Sequence, residues 1–181
     1  VLAMNQRAEV TFVNTQGTEL PVRALGDMLQ MTLPEYSTVP AEAPVALVTA
    51  LGLSSVVNAE FNAETKILLI ETESATELAA LRPDFPALLL AHDSINGVRV
   101  TEKWDAETHD FHSRYFWPWS GSDEDPVTGG THTFLAGYWA KRLGRRIMRS
   151  FQSSQRSGSM EVELVAGGVQ IRAPAAIVLE G

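Results

Sequence analysis

The chemistry-bearing residues of this chain crowd into one short stretch, Ser122-Asp-Glu-Asp-Pro-Val-Thr-Gly-Gly-Thr-His132. Asp125-Pro126 ends an acidic loop, and Thr128-Gly129-Gly130 leads directly into a helical pattern. The first amides of a helix have no intrahelical acceptor and the dipole is positive there, so such a corner binds carboxylates and phosphates. Glycine lets a ligand approach the backbone closely. Asp125 beside that corner can accept a hydrogen bond from an amino or hydroxyl group of the same ligand. A plainer role fits the same residues: an Asp or Thr N-cap after a glycine turn, with no ligand at all. Residue types alone leave both readings open.

The elements that must hold this corner follow from periodicity. The helix over 131–143 is the clearest in the chain, with Leu135, Tyr138, Trp139 and Leu143 recurring at spacings of three and four and Gly144 where a helix-ending glycine belongs. Before it, residues 110–118 alternate Phe111, Ser113 and Tyr115 against His112, Arg114 and Phe116, a strand pattern. After it come strands near 146–152, 160–165, 169–172 and 176–179, with Gly167-Gly168 as a hairpin turn. The chain opens on three more alternating runs, broken at Gln16-Gly17 and Gly26-Asp27, which predict an antiparallel meander. Pro34, Pro40 and Pro44 exclude a regular element from 34–44 and mark it as the linker. Between linker and loop the pattern predicts a short buried helix ending at Gly52, strands near 54–61 and 66–71, and a helix opened by a Ser74-Ala-Thr-Glu77 capping box. A second helical piece over 84–91 and a strand over 98–103 complete the region. Strands outnumber helices and strict β-α-β alternation is absent, so the fold class is α+β with a mainly antiparallel sheet.

Composition narrows the functions. The 181 residues carry a net charge of −8, and a field of that sign repels phosphate backbones, so nucleic acid is not an expected partner. There is no cysteine, which excludes disulfides, thiolate catalysis and cysteine-built metal sites. No run is long and apolar enough to span a bilayer, and residues 1–7 lack the zones of a signal peptide, so no membrane partner and a cytoplasmic location are expected. The phosphate-loop, dinucleotide, H-E-x-x-H and G-x-S-x-G signatures are absent. A calcium loop counted from Asp123 would need Gly and Glu where Thr128 and Phe134 stand. His109 and His112, three apart on a strand, would face opposite ways, so no metal is expected there. Arg145, Arg146, Arg149 and Arg156 form a local basic cluster, read as a solvated face pairing with the acidic surplus, with an anion site as the alternative.

Several motifs taken together carry a family resemblance. Asp110-Phe-His-Ser-Arg-Tyr-Phe-Trp-Pro118, Glu124-Asp-Pro-Val-Thr-Gly129, Tyr138-Trp139, Leu143-Gly144 and Gln152-x-x-Gln-Arg-x-Gly158 resemble the second half of phenazine-biosynthesis-like (PhzF-like) proteins, nearest their eukaryotic domain-containing members. Val10-Thr-Phe-Val-Asn-Thr-Gln-Gly17 and Met31-Thr-Leu-Pro34 resemble that family's strands leading into its inter-lobe linker. The resemblance implies a diaminopimelate-epimerase-like fold: two lobes, each a β-barrel-like sheet round a central helix, with the active site between them. It implies a cofactor-independent isomerase that shifts a proton on a small carboxylate-bearing substrate, such as a dihydro-hydroxyanthranilate, and that pairs as a homodimer. By that likeness Asp125 is the catalytic residue that orients substrate, while Thr128, Gly129 and Gly130 bind its anionic group.

Two departures shape the expectations. The family's first-lobe catalytic Glu and Cys-Gly-His-Ala segment have no counterpart, and Val1-Leu2 would be the tail of the first lobe's helix. Residues 1–33 are then a remnant of that lobe, 34–44 the linker and 45–181 a complete second lobe. The family's Ser after Thr-Gly is Gly130 here. The alternative function is therefore a non-catalytic binding or assembly subunit, associating through the exposed first-lobe remnant. On this reading the 28–33 strand belongs to a sheet whose other strands lie mostly upstream of Val1, and it presents an open edge beside the meander.

Overall fold

The computed structural model describes residues 8–15, 17, 19–104 and 107–175. Among them, twelve strands join one mixed sheet. The strands are β1 (Glu9–Val13), β2 (Glu19–Leu25), β3 (Met28–Leu33), β4 (Val39–Pro40), β5 (Asn58–Asn62), β6 (Ile67–Glu71), β7 (Gly97–Lys103), β8 (Phe111–Trp117), β9 (Ser122–Glu124), β10 (Ile147–Gln152), β11 (Gly158–Val165) and β12 (Gly168–Pro174). Their order is β1-β2-β3-β12-β11-β10-β8-β7-β6-β5-β4, with β9 pairing β8 outside this path. The β6–β7 and β8–β10 pairs are parallel and the remainder antiparallel. The end strands β1 and β4 do not pair with each other, so the sheet stays open.

Four helices cover it among the described residues: α1 (Val45–Leu51), α2 (Ala75–Ala80), α3 (Phe85–Ala91) and α4 (His132–Leu143). Alternation along the central strands sorts their side chains into two cores. Ile67 and Leu69 of β6 join Phe111, Tyr115, Met148, Val162 and Ile171 beneath α4, whose Phe134, Leu135, Tyr138 and Trp139 fill that face. Leu68 and Ile70 join Val98, Val100 and Phe116 on the other face, under Leu47 and Leu51 of α1, Leu78 of α2 and Leu88 of α3. With both faces covered, the first six residues of β8 are buried, so the polar half of its alternation is inside rather than in water.

Caps match the sequence in most places. Gly52 and Gly144 end α1 and α4 at φ 80° and 66°, the left-handed region glycine accepts without a Cβ penalty. Asp84 caps α3 by accepting from the Ala87 amide. The capping box at α2 is only half formed. The Ser74 hydroxyl accepts from the Glu77 amide, but the Glu77 carboxylate turns away to accept from the Ser54 amide and hydroxyl and from the Thr72 hydroxyl. Burial works against its charge, yet these donors outweigh it and hold the Glu77 pKa below the usual carboxylate range. The following strand begins only at Asn58.

Two expectations are overturned. The meander forms as read, but β3 is not an open edge: it pairs β2 on one side and β12 on the other, from Met28–Pro174 to Leu33–Val169. The alternation of Leu29, Met31 and Leu33 matches β12 as well as any other strand, and among the described residues the open edge is β1. The linker also contains a two-residue strand, β4, because Val39 and Pro40 sit at the sheet's end, where proline's missing N–H costs no ladder bond. The strand read at 176–179 lies outside the described residues. No helix among the described residues is long and apolar enough to cross a membrane.

Candidate functional site

The loop–helix corner is built on three adjacent strands. Arg99 of β7, Ser113 of β8 and Gln152 of β10 point to the α4 face, and all three are buried. Arg99 donates from Nη1 to Gln152 Oε1 at 2.8 Å and from Nη2 to Ser113 Oγ at 2.7 Å, while among the described residues its Nε has no partner. The Gln152 amide spends its remaining capacity on the loop. Oε1 also accepts from the Thr128 amide at 3.0 Å, and Nε2 donates to the Asp125 carbonyl at 2.7 Å and to Thr128 Oγ1 at 3.3 Å. One side chain therefore fixes both ends of the 125–128 turn. The Asp125 amide donates to the Tyr115 carbonyl at 3.0 Å, a third tie to the sheet.

Burial gives this corner its electrostatics. Desolvation pushes the Arg99 guanidinium down to about 9, with Asp125 the largest influence opposing it, so it is still protonated at neutral pH. His132 opens α4, with Nδ1 against the Thr128 carbonyl at 2.9 Å and Nε2 against Ser150 Oγ at 2.9 Å. Burial, then the nearby Arg99 charge, pushes its pKa down to about 3, so the ring is neutral. The Tyr115 phenol is pushed up to about 12, mainly by burial. A buried cation thus lies near the positive end of a helix dipole, and both favour an anion.

The predicted site residues Asp125, Thr128, Gly129 and Gly130 are brought together at the opening of α4. Asp125 is half-buried, and its Oδ2 accepts the Thr128 hydroxyl. The Thr128 amide donates to Gln152 Oε1. Thr131 is the N-cap but makes no side-chain cap bond. The chain enters the helix through 3₁₀-type bonds, His132 N to Gly129 O at 3.0 Å and Thr133 N to Gly130 O at 3.3 Å. Among the described residues, the amides of Gly129, Gly130 and Thr131 therefore remain without a protein acceptor. A Cβ at Gly130 would meet nothing within 4 Å, and one at Gly129 only Ile171 Cδ1 at 3.8 Å. A cavity of about 420 Å³ borders the acidic loop, lined by Ser122, Asp123, Glu124, Pro126, Ser154 and Arg156 among others.

Arg99, Ser113 and His132 were missed as site residues, and Gln152 entered only as part of a motif. Arg99 had a signal: a charge set between Val98 and Val100 in a strand. His109 and His112 do not diverge as predicted, because His109 precedes β8. Both rings stand against Trp104 and Phe151. Among the described residues no cluster of three or more His, Cys, Asp or Glu has the arrangement of a metal site. Three of the basic cluster have protein acceptors: Arg145 pairs Asp110 at 2.8 Å, Arg146 donates to the Leu164 carbonyl and Arg149 to the Glu107 carbonyl.

Solved structures share this architecture. A phenazine biosynthesis protein of the PhzF family from Enterococcus faecalis superposes with a TM-score of 0.87 at 27% identity, covering 98% of this chain and 67% of that one. A putative PhzC/PhzF protein from Clostridium difficile gives 0.84 at 27% identity, covering 99% and 68%. The fold is that of PhzF proteins, diaminopimelate-epimerase-like. The family model described as phenazine biosynthesis-like protein matches residues 22–181, and the chain belongs to this family. It is 35% identical over 190 residues to the human phenazine biosynthesis-like domain-containing protein, covering 98% of this chain and 66% of the relative. An uncharacterized isomerase from Pseudomonas aeruginosa is 38% identical over 167 residues, covering 92% and 61%. The chain therefore spans just under two thirds of the length of these curated relatives.

Proposed function

We propose that the chain carries the second-lobe half of the active site of a cofactor-independent, cytoplasmic isomerase that shifts a proton on a small carboxylate-bearing substrate. The observation that carries this reading is the corner itself: three unclaimed amides at the opening of α4, a buried Arg99 cation and the half-buried Asp125 carboxylate. The amides of Gly129, Gly130 and Thr131 bind the substrate carboxylate, with the Arg99 charge and helix dipole lowering its energy. Asp125 Oδ1 accepts a hydrogen bond from an amino or hydroxyl group of the same molecule and sets its orientation. Thr128 and Gln152 position Asp125 and do not touch the substrate. The proton itself is carried by an acid–base group outside this chain's described residues, as in the family the sequence resembles. The relatives named as isomerases support this reading.

The test uses the full-length protein in deuterated water with a dihydro-hydroxyanthranilate as probe. Deuterium enters the substrate carbon skeleton with the wild type, and Asp125→Asn lowers kcat/KM by about 10²-fold, the scale of one oriented charge-assisted contact made in the transition state. Equal exchange in the variant removes Asp125 from the mechanism.

A second reading, a binding or assembly subunit, has one observation behind it. Phe12, Val13 and Leu25 on the β1–β2 ribbon are 44%, 64% and 43% exposed, apolar surface beside a sheet edge that no described strand pairs. This ribbon then joins a second copy as a homodimer. Sedimentation of the full-length protein and of Phe12→Glu distinguishes the cases, because only the ribbon dimer dissociates in the variant.

A further inference from the structure

Next to the candidate corner, three neighbouring strands set out a second constellation. Glu102 on β7 lies directly opposite His112 on β8, and Ser153 follows the last residue of β10. The Ser153 amide donates to the Ser113 carbonyl at 3.1 Å, which holds that hydroxyl beside the imidazole. His112 Nε2 is hydrogen-bonded to Ser153 Oγ. On the other side of the ring, His112 Nδ1 and Glu102 Oε1 stand 3.7 Å apart, with side chains 1% and 5% exposed. Both atoms are buried, and among the described residues neither has a hydrogen-bond partner. Two orphaned polar atoms facing each other at this depth call for an explanation, and a few tenths of an ångström would join them. Trp104 and Phe151 pack against the ring, 4.7 and 5.5 Å away between centroids, and keep its plane fixed.

We propose that Ser153, His112 and Glu102 form a second site, a nucleophilic serine with its base and an orienting carboxylate, that cleaves small esters bearing a carboxylate. The order of contacts is what such chemistry requires: nucleophile to base, base to orienter, and the nucleophile opening on space. Ser153 is half-buried and lines a cavity of about 470 Å³ together with Arg82, Phe85, Arg114, Glu124 and Gln155. Arg114 there is committed to Glu124 at 2.7 Å, whereas the partners of Arg82 are the main-chain carbonyls of Ala80 and Leu81. The Arg82 charge is therefore left for a carboxylate on the substrate, and Phe85 gives the acyl chain an apolar wall. The Ser153 oxygen bonds the acyl carbon as its proton passes to His112 Nε2. The bond to the alkoxy group then breaks, and the departing alcohol takes that proton. Water repeats the step on the acyl-serine, releasing the acid and restoring the hydroxyl. Glu102 is a positioning residue: it faces the imidazole and never the substrate.

The test is covalent labelling of the full-length protein with an alkyl fluorophosphonate, read serine by serine from peptide masses. Ser154 sits in the same loop with its hydroxyl donated to the Pro126 carbonyl, and serves as the internal reference. Ser153 labels at least tenfold faster than Ser154 in the native protein, and the difference disappears after heat unfolding. His112→Asn removes the excess. Glu102→Gln lowers the Ser153 rate while leaving Ser154 unchanged, and Glu102→Asp restores part of it. Should His112→Asn fail to fold, the native-versus-unfolded comparison still decides. Equal rates at Ser153 and Ser154 in the native protein, or a Glu102→Gln variant as fast as the wild type at Ser153, overturn the proposal.

Discussion

Replacing Gln152 with methionine removes a single buried amide, and its cost can be worked out from its partners. Gln152 is 1% exposed and makes four hydrogen bonds, one of them accepted from the charged Arg99. At about 1 kcal/mol for each neutral bond and about 2 for the charged one, the gross loss is about 5 kcal/mol. The methionine side chain has similar volume and recovers part of this, leaving a net cost of about 3–4 kcal/mol, much of it from the Arg99 charge left buried with only Ser113 for support. The double variant Arg99→Met/Gln152→Met removes that charge together with its partner. It should therefore be at least about 2 kcal/mol more stable than the sum of the two single changes. Urea denaturation of the four full-length proteins measures the coupling. A Gln152→Met cost below about 1 kcal/mol, or strict additivity in the double variant, refutes the claim that this network holds the 125–128 turn.

Three further outcomes follow from the same corner. His132 has a folded pKa near 3 against an ordinary 6.5, so it is neutral in the fold while the unfolded chain takes up a proton below 6.5. Its contribution is intact above pH 6.5 and is lost as pH falls from there toward 3, amounting to about 2 kcal/mol by pH 5, and His132→Asn flattens the stability–pH curve in that window. Gly158→Ala places a Cβ 2.6 Å from Val127 Cγ2 and should cost about 1–3 kcal/mol in thermal denaturation while shifting the loop that carries Asp125. Gly130→Ser meets open space and should stay within about 0.5 kcal/mol of the wild type.

Local periodicity carried much of the fold. The meander, the α4 helix with its Gly144 end and the Gly167-Gly168 hairpin depend on residues close in sequence, and each forms where the pattern put it. What failed was long-range. Nothing within 28–33 indicates that its second neighbour is β12, because an alternating strand fits any partner of the same face. β8 reads as half-exposed because its alternation is regular; only helices on both faces, from distant segments, put His112 and Arg114 inside. The site divides in the same way. Asp125, Thr128, Gly129 and Gly130 are contiguous and were legible together. Arg99 and Gln152, which hold them, arrive from strands 26 residues before Asp125 and 27 after it, and no local pattern links them. The acceptor of the Thr128 amide is likewise a side chain that only the sheet brings near.

The central claim is that the opening of α4 receives a small anion. Proton–nitrogen correlation spectra of the full-length protein titrated with anthranilate test it directly. The amides of Gly129, Gly130 and Thr131 should shift together and saturate, Thr128 should move less because Gln152 holds it, and Asp125→Asn should weaken the titration about tenfold, the equivalent of one hydrogen bond to a charged group. Saturable shifts elsewhere with these three amides unmoved would contradict the account.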